Sequence, residues 1–303
     1  MQDSIIKIEN LSYNYSKKKK VLNNINLNIP KGSIYGFLGP NGAGKSTTMQ
    51  LITNLLPKQE GEISFFNTPL QEQVPNVFYK IGSLIESPSL YLHLSGIDNL
   101  KCVTTLKNIS EDKITEVLEL VGLSKNGKQR VKEYSLGMKQ RLAIAMTLIG
   151  EPEILLLDEP VNGLDPTGIT EIRELLVKLN KEQGITIFIS SHLLSEIEKM
   201  CSHIGIINDG ELKFEGTIKE LSEKSGKCKI QVTTSELETY KDFLLEKYSS
   251  IEFLENNQFS VVLENKKSIP DFSKSLIHNN IDLFELKIID GLEEWFLSLT
   301  SKN

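Results

Sequence analysis

A glycine-rich loop carries the residues of this sequence that are best suited to chemistry. It reads Gly39-Pro40-Asn41-Gly42-Ala43-Gly44-Lys45-Ser46-Thr47, and it lies between the apolar run Ile34 to Leu38 and a helix-compatible segment, Lys45 to Leu56. Glycines let several backbone N–H groups point into one concavity, and the N-terminus of the following helix adds positive charge there. Lys45 supplies a charge for the β- and γ-phosphates, and Ser46 supplies a hydroxyl for Mg²⁺. The loop therefore predicts a polyphosphate site.

Two acids and a histidine follow strand-like segments further along the chain. Asp158 and Glu159 come directly after four apolar residues, 154–157, which is typical of a strand buried on both faces. His192 follows the β-rich run Ile185 to Ile189 in the same way. A parallel sheet brings such residues to its carboxyl edge, where ligands bind, so we expect all three near the phosphate loop. A lone histidine is also common as a purely structural residue.

The remaining patterns predict the elements that position these residues. We expect antiparallel strands within 5–29, strands at 61–66 and 81–85, a helical region with N-caps at Ser95 and Ser110, a helix ending at Gly184, and a hairpin turn at Asp209-Gly210. From about Lys227 the pattern favours a small β-α-β-β-α-β unit with an apolar tail around Trp295 that packs. Tyr15, near the first turn, is able to stack on a base, although it is also an ordinary strand residue.

Composition limits the class of protein. The 303 residues carry a net charge of −6, which argues against binding to nucleic acid driven by overall charge. The three cysteines, Cys102, Cys201 and Cys228, lack metal-ligand spacing and are typical of reduced cytosolic thiols. The N-terminal residues do not form a leader pattern, and no apolar run approaches the roughly 18 residues of a membrane helix. We expect another subunit to cross any membrane at which this protein works.

Taken together, the motifs resemble the nucleotide-binding subunit of ABC transporters over roughly residues 4 to 222. The resemblance implies an α/β P-loop NTPase domain at 1–224, with a RecA-like core, an antiparallel β subdomain and a helical subdomain at about 87–148. It also implies a small α+β accessory domain at 227–303. The implied activity is ATP hydrolysis coupled to transport, with ATP and Mg²⁺ as cofactors.

The resemblance assigns a role to each motif. The Walker A loop is Gly39 to Thr47, and Tyr15 is the aromatic residue that stacks on adenine. Asp158 is the Walker B acid, which binds the metal together with Ser46, and Glu159 is the catalytic base. His192 is the switch histidine, and Asp165 belongs to the D-loop. These roles agree with the chemistry, because phosphoryl transfer needs charge neutralisation, a bridging Mg²⁺ and an oriented water.

The segment Tyr134-Ser135-Leu136-Gly137-Met138 matches the Leu-Ser-Gly-Gly-Gln signature of this superfamily imperfectly. Ser135 and Gly137 remain, and a serine hydroxyl with a glycine N–H at a helix N-terminus suits a γ-phosphate. In the superfamily this site faces ATP on the opposite subunit. The resemblance therefore implies a homodimer that closes on two ATPs.

Glu86 stands where most ABC ATPases have the Q-loop glutamine. The segment Ile81 to Pro88 looks like the E-loop of lantibiotic self-protection and bacitracin-resistance ATPases, which export antimicrobial peptides with separate integral-membrane permease subunits. A carboxylate here adds negative charge near Mg²⁺, so we assign Glu86 to the nucleotide and metal site. We expect it to tune coupling to the permease more than nucleotide affinity.

Other readings stay open at this point. The ATPase of a different exporter, for a drug, sodium or a polysaccharide, differs only in its cargo. A soluble ABC mechanoprotein acting on nucleic acid or ribosomes usually has tandem modules, long heptads or strong basic patches, whereas this sequence has one phosphate loop, no sustained heptads and a net negative charge. The favoured location is cytoplasmic, peripheral on the inner face of the cell membrane through the permease, with no nucleic acid partner.

Overall fold

A computed structural model describes residues 3–16, 19–86, 89–225, 228–248 and 250–289, together with Phe296 and Leu299. The chain divides into two compact units, Met1–Ile218 and Lys219–Asn303. Ser87 and Pro88 of the E-loop segment, and Trp295 of the apolar tail that the sequence predicts to pack, lie outside the described residues.

The first unit contains ten described strands. They are β1 (Ser4–Ser16), β2 (Lys19–Pro30), β3 (Ile34–Leu38), β4 (Glu60–Phe65), β5 (Thr68–Pro69), β6 (Ile81–Leu84), β7 (Ile154–Asp158), β8 (Thr186–Ser191), β9 (His203–Asn208) and β10 (Glu211–Thr217).

Helices of the first unit begin directly after the phosphate loop. They are α1 (Lys45–Ile52), α2 (Leu70–Gln73), α3 (Gly96–Lys107), α4 (Asp112–Leu120), α5 (Leu136–Leu148), α6 (Pro166–Gln183) and α7 (Leu194–Met200). Helix α8 (Ile218–Ser225) begins at the last residue of the first unit and continues in the second. Short 3₁₀ helices occupy Asn76–Lys80, Ser124–Asn126 and Val131–Glu133.

Two sheets build the first unit. The larger has the order β10-β9-β3-β8-β7-β6 and is parallel except for β10. The smaller, in the order β2-β1-β4-β5, is antiparallel. Every residue of β3, β7 and β8 is buried, which is why these segments read as continuous apolar runs. The predicted α/β P-loop fold class is confirmed by this architecture.

Helix boundaries show where local patterns were misleading. Ser95 caps α3 in a full capping box with Asp98, as predicted. Ser110 is not the N-cap of α4, because its hydroxyl bonds Asp112 and the helix begins one residue beyond Glu111. Helix α1 ends at Ile52 rather than Leu56, because Asn54 adopts a left-handed backbone conformation with a φ of 56°.

The turn between β9 and β10 joins the two sheets to the phosphate loop. Gly210 donates its N–H to Ala43 O at 3.0 Å and accepts from Asn23 N at 2.8 Å. Asp209 and Gly210 both have positive φ, 47° and 75°, as the predicted Asp-Gly hairpin turn requires. A Cβ at Gly210 would lie 2.2 Å from Val21 O, so only glycine fits.

The second unit has the predicted β-α-β-β-α-β element order. Its elements are β11 (Cys228–Thr234), α9 (Leu237–Lys247), β12 (Ile251–Leu254), β13 (Gln258–Leu263), the 3₁₀ helix Lys266–Ser268, α10 (Ile269–His278) and β14 (Leu283–Ile289). The sheet is antiparallel with the order β12-β13-β11-β14, which is the split β-α-β arrangement. One apolar cluster built around Ile230, Val232 and Phe259 forms its core.

The cysteines differ in exposure. Cys102 on α3 is half-buried, whereas Cys201 and Cys228 are buried. Burial raises the pKa of the Cys201 thiol strongly. Among the described residues, these three cysteines form no disulfide bond, as the sequence indicated.

Glu215 on β10 links the larger sheet to the smaller one. Its Oε1 accepts from Tyr35 OH at 3.1 Å and from Asn28 N at 2.6 Å. Burial raises the pKa of this carboxyl, and the two hydrogen bonds offset that effect only in part. A charged acid is thus held where water is scarce.

This burial predicts a pH dependence of stability. The pKa of Glu215 is higher in the folded protein than in the unfolded chain, where it is about 4.3. Between these two pKa values the folded protein binds more protons than the unfolded chain. The free energy of unfolding therefore falls as pH rises through that window. Glu215→Gln retains an acceptor without the charge. We expect its free energy of unfolding to improve relative to wild type as pH rises from about 4 to 7, measured by urea denaturation at fixed ionic strength.

Glu211 on the same strand provides the control. Hydrogen bonds from Lys213 and Asn23 lower the pKa of this exposed carboxyl. Its stabilising contribution is present above the unfolded pKa and is lost on acidification, so Glu211→Gln should lose stability relative to wild type as pH rises. Parallel pH profiles for wild type and Glu215→Gln would contradict the assignment.

Candidate active site

The phosphate loop lies between β3 and α1, at the carboxyl edge of the parallel sheet. Gly42 and Gly44 have φ of 81° and 112°, and a Cβ at Gly44 would lie 2.5 Å from Leu22 Cδ2. These positions therefore require glycine. A cleft of about 450 Å³ opens over the loop. Its lining residues are Tyr15, Ser16, Val21, Asn41, Gly42, Gly44, Lys45, Ser46, Thr47 and Glu159.

Lys45 is held tightly within this loop. Its side chain is only 6% exposed, and its ammonium donates to Gly39 O at 2.8 Å and Pro40 O at 3.2 Å. Glu159 Oε1 lies 3.2 Å from the same nitrogen. A buried ammonium needs a compensating negative charge, which Glu159 provides and which phosphate oxygens also provide.

Asp158 and Glu159 end β7 beside the end of β8. Asp158 and Ser190 are register partners in the parallel pairing. The Ser190 hydroxyl donates to Asp158 Oδ1 and accepts from Glu159 N, the latter at 2.9 Å. One serine thus fixes the carboxylate of the first acid and the backbone of the second. The sequence analysis assigned no role to Ser190.

Glu159 owes its direction to an unusual backbone conformation. Its φ is 48°, in the left-handed region that residues with a Cβ rarely adopt. The N–H is held by both the hydroxyl and the carbonyl of Ser190. This conformation places Oε1 near Lys45 and Oε2 2.8 Å from His192 Nδ1. The predicted base and the predicted switch histidine are therefore in direct contact.

His192 follows β8 and precedes α7, which is tied to α6. Arg173 Nη1 donates to Glu196 Oε2 at 2.7 Å, and Lys199 Nζ lies 3.0 Å from Glu196 Oε1. Burial alone would raise the pKa of Glu196, but the hydrogen bonds from Lys199 and Arg173 outweigh it and lower the pKa. The pair of Arg173 on α6 with Glu196 holds the start of α7, and thereby His192, against the neighbouring helix, whereas Lys199 lies on α7 itself.

Tyr15 stands at the mouth of the cleft with its ring 59% exposed. Its hydroxyl lies 3.3 Å from Thr47 Oγ1 and 3.3 Å from Gln50 Oε1. Gln50 also donates from Nε2 to Glu86 Oε1 at 2.9 Å. Glu86 has a φ of 64°, so it too lies in the left-handed region. Gln50 joins the two predicted residues, and the sequence analysis did not identify it.

Comparisons with known proteins identify the family to which this geometry belongs. The ABC transporter family model matches residues 22–162. Over 99% of this chain and 97% of its own length, the bacitracin transport ATP-binding protein BcrA of Enterococcus faecalis is 38% identical. The chain belongs to the ABC transporter ATP-binding proteins. The suspected family is confirmed, and with it the assignment as an ATPase.

Two further proteins are similar to this ABC ATPase. The lantibiotic transport ATP-binding protein SrtF of Streptococcus pyogenes is 50% identical over 70% of this chain and 90% of its own. The structure of cbiO1 from Clostridium perfringens, part of the ABC transporter complex cbiONQ, has a TM-score of 0.67 and 31% identity. It covers 81% of this chain and 100% of its own.

The remaining ABC motif residues lie away from this cleft. Ser135 caps α5 by accepting from Met138 N at 3.2 Å, and Gly137 on the first turn has open space where a Cβ would be. Asp165 caps α6 by accepting from Gly168 N at 3.0 Å. Of the residues that the structure describes, these three are absent from the cleft lining.

Metal binding in this ABC ATPase needs more than side chains. Within the described ranges, no cluster of three or more His, Cys, Asp or Glu side chains could hold a metal ion. Ser46 is exposed at the loop, and Asp158 is buried with Oδ1 engaged by Ser190. This donor set fits a Mg²⁺ ion that takes its other ligands from phosphate and water, as is usual for this metal.

Ser190→Ala tests the anchoring of the two acids. The variant loses the bond to the Asp158 carboxylate, worth about 1.5–3 kcal/mol, and the neutral bond from Glu159 N, worth about 1 kcal/mol, although that N–H keeps its bond to Ser190 O. We expect kcat for ATP hydrolysis to fall by roughly 10- to 100-fold, with a smaller change in nucleotide affinity. Steady-state kinetics and a nucleotide titration would measure both quantities.

Ser33→Ala is the matched control. Ser33 is a buried serine whose hydroxyl also makes a hydrogen bond, to Pro30 O at 2.6 Å, but it precedes β3 at the opposite edge of the same sheet. It should lose stability without a comparable loss of kcat. Equal kinetic effects of the two variants would show that Ser190 acts only through stability.

Proposed function

We propose that this chain is the ATP-binding and ATP-hydrolysing subunit of an ABC exporter that removes an antimicrobial peptide, lantibiotic or bacitracin-like, for self-protection or resistance. The observation that carries the proposal is the convergence of Lys45, Glu159 and His192 over the phosphate loop, in a chain that aligns over almost its full length with a bacitracin transport protein. The lantibiotic transport relative and the glutamate at position 86 support the same cargo class.

The cleft fits ATP with Mg²⁺. Tyr15 offers an exposed ring to the base, the backbone N–H groups of 39–47 receive the phosphates, and Lys45 supplies the charge. In this proposal Ser46 and Asp158 are the metal ligands, with Glu86 as the additional acid. Bound ATP supplies the phosphoryl group that is transferred to water, and Mg²⁺ neutralises its charge.

Glu159 and His192 carry the proton chemistry in this proposal. Lys45 exchanges its ion pair with Glu159 for phosphate oxygens, which releases Oε1 of the carboxylate to accept a proton from water. His192 keeps Oε2 in place through Nδ1 and so holds the base in its direction. Ser190 fixes the backbone from which Glu159 projects.

A second copy of the chain completes the site in the proposed assembly. Ser135 is exposed and Gly137 is open to solvent, both at the N-terminus of α5, where a γ-phosphate from another protomer is favoured. ATP-binding subunits of this family dimerise and work with permeases. The proposed assembly is a homodimer that closes on two ATPs, with Asp165 and its loop at the interface.

The proposed location is the inner face of the cell membrane, where an integral-membrane permease holds the dimer. Among the described residues, none of the helices is long and apolar enough to cross a membrane. The proposed domain limits are 1–224 for the ATPase, with a helical subdomain at about 87–148, and 227–303 for the accessory domain. The net charge of −6 agrees with a partner other than nucleic acid.

Co-purification and resistance assays test this function. The tagged chain, isolated from membranes, should bring down a polytopic permease that mass spectrometry identifies. Cells that express both should tolerate several-fold more lantibiotic or bacitracin than cells with the Glu159→Gln variant. That variant should bind ATP and hydrolyse it about 10²-fold or more slowly, because it lacks the base.

Glu182→Gln makes the same acid-to-amide change on the exposed end of α6 and serves as the control. It should retain full resistance. Recovery of ribosomes or DNA without a membrane protein, or equal resistance with Glu159→Gln, would refute the exporter.

Glu86→Gln tests the role of the E-loop acid. The amide can still accept from Gln50, so the loop should stay folded while the charge near the metal is lost. We expect peptide resistance to fall by about tenfold and ATP affinity to fall by less. The reason is that the hydrogen bond between Gln50 and residue 86 loses its charge, and a charged hydrogen bond is worth about 1.5 kcal/mol, or roughly tenfold in coupling to the permease. Resistance assays and nucleotide titrations measure the two effects. Unchanged resistance alongside lost ATP affinity would defeat the hypothesis.

A further inference from the structure

The side chain of Gln50 bridges two residues from different parts of the site. Its Nε2 donates to Glu86 Oε1 at 2.9 Å, and its Oε1 accepts from Tyr15 OH at 3.3 Å. The Tyr15 oxygen also lies 3.3 Å from Thr47 Oγ1. A continuous chain of hydrogen bonds therefore runs from the aromatic ring at the cleft mouth to the E-loop acid.

The carboxylate at position 86 sets the direction of every bond in this chain. A carboxylate only accepts, so Gln50 must present its NH₂ group to Glu86. The amide oxygen then faces Tyr15, whose hydroxyl has to donate to it. With its proton used in this way, the Tyr15 oxygen can accept from Thr47. A glutamine at position 86 would allow each bond to reverse, because an amide both donates and accepts.

The two ends of the chain have different surroundings. Tyr15 is a half-exposed residue beside the phosphate loop, while Glu86 lies in a left-handed backbone conformation that is unfavourable for a residue with a Cβ and needs support from its surroundings. Gln50 supplies that support from α1, the helix that begins at the phosphate loop. Ile85 and Ser89 line a separate cleft of about 510 Å³.

We propose that Gln50 is a positioning residue that couples a nucleotide base stacked on Tyr15 to the orientation of Glu86. A base against the ring fixes the tyrosine hydroxyl, the hydroxyl fixes the amide of Gln50, and the amide fixes the carboxylate. The biological role of this coupling rests on the proposed function, since the E-loop is the segment through which the bound nucleotide would influence the permease. The coupling between Tyr15 and Glu86 itself needs only this polypeptide.

Hydrogen exchange of the amides at 81–86 in the full chain measures the coupling. ADP without Mg²⁺ is the probe, because it carries the base and omits the metal ion that Glu86 would meet directly. In the wild type, saturating ADP should slow exchange at these amides by about fivefold or more, the usual lower range for coupled sites. In Gln50→Ala, at an ADP concentration that saturates the variant, the slowing should vanish. No slowing in the wild type would overturn the proposal.

A charge swap separates the specific pair from general damage. Gln50→Glu sets two carboxylates against each other and should speed exchange at 81–86 with or without ADP. Adding Glu86→Gln rebuilds the bond with its direction reversed, because the amide at 86 donates to the carboxylate at 50, which still accepts from Tyr15. The double variant should recover the ADP effect. Gln71→Glu, which adds the same charge on exposed α2, should behave as wild type.

Tyr15→Phe completes the test by removing the hydroxyl while keeping the ring. At saturating ADP it should lose the slowing at 81–86, as Gln50→Ala does. Full slowing in either variant, or a double swap that binds ADP and fails to recover the effect, would overturn the proposal. The exchange experiment uses the purified chain without permease or peptide. If it gives the expected pattern while the resistance assay fails, only the proposed function is refuted. Absence of ADP binding would refute both.

Discussion

The positive charge of Lys45 is the constraint around which this site is built. An ammonium that is almost closed to water must be neutralised, and the chain meets this need with two carbonyls of its own loop and with Glu159. The partner is thus the residue assigned to take a proton from water. The neutralisation of Lys45 and the availability of the Glu159 carboxylate are therefore linked. Glu159 is able to accept a proton from water only when another negative group neutralises Lys45.

The rest of the first unit serves to hold these groups at one edge. Parallel pairing puts the ends of β3, β7 and β8 side by side, and Ser190 converts that register into fixed side-chain directions. The Asp209-Gly210 turn presses against the loop from the other side through Ala43. A small displacement of any of these strands would be felt at Lys45, since closely packed interiors transmit strain.

Much of this was predictable because it is encoded locally. The phosphate loop is a contiguous motif, and apolar runs followed by polar residues predict a parallel edge without knowledge of the strand order. Ser190 was within reach of the same argument, since it lies two residues before His192 at the end of the same strand. The left-handed conformation of Glu159 was not, because nothing in its type distinguishes it from an extended residue.

Gln50 and Ser110 show two further limits of sequence reasoning. The role of Gln50 depends on Glu86, 36 residues away and on a different element, so no spacing rule reveals it. The prediction that Ser110 is an N-cap was wrong for the opposite reason, because a competing hydrogen-bond partner, Asp112, lies within the same turn. Long-range pairs need the fold, and caps need the geometry of their immediate neighbours.

The unequal burial of the three cysteines offers a practical consequence. Cys102 is the thiol within reach of a reagent, whereas Cys201 and Cys228 are enclosed. Cys102 sits on α3, in the helical part of the ATPase unit. A fluorophore or spin label attached to the native chain should therefore report from a single position, without prior removal of the other cysteines.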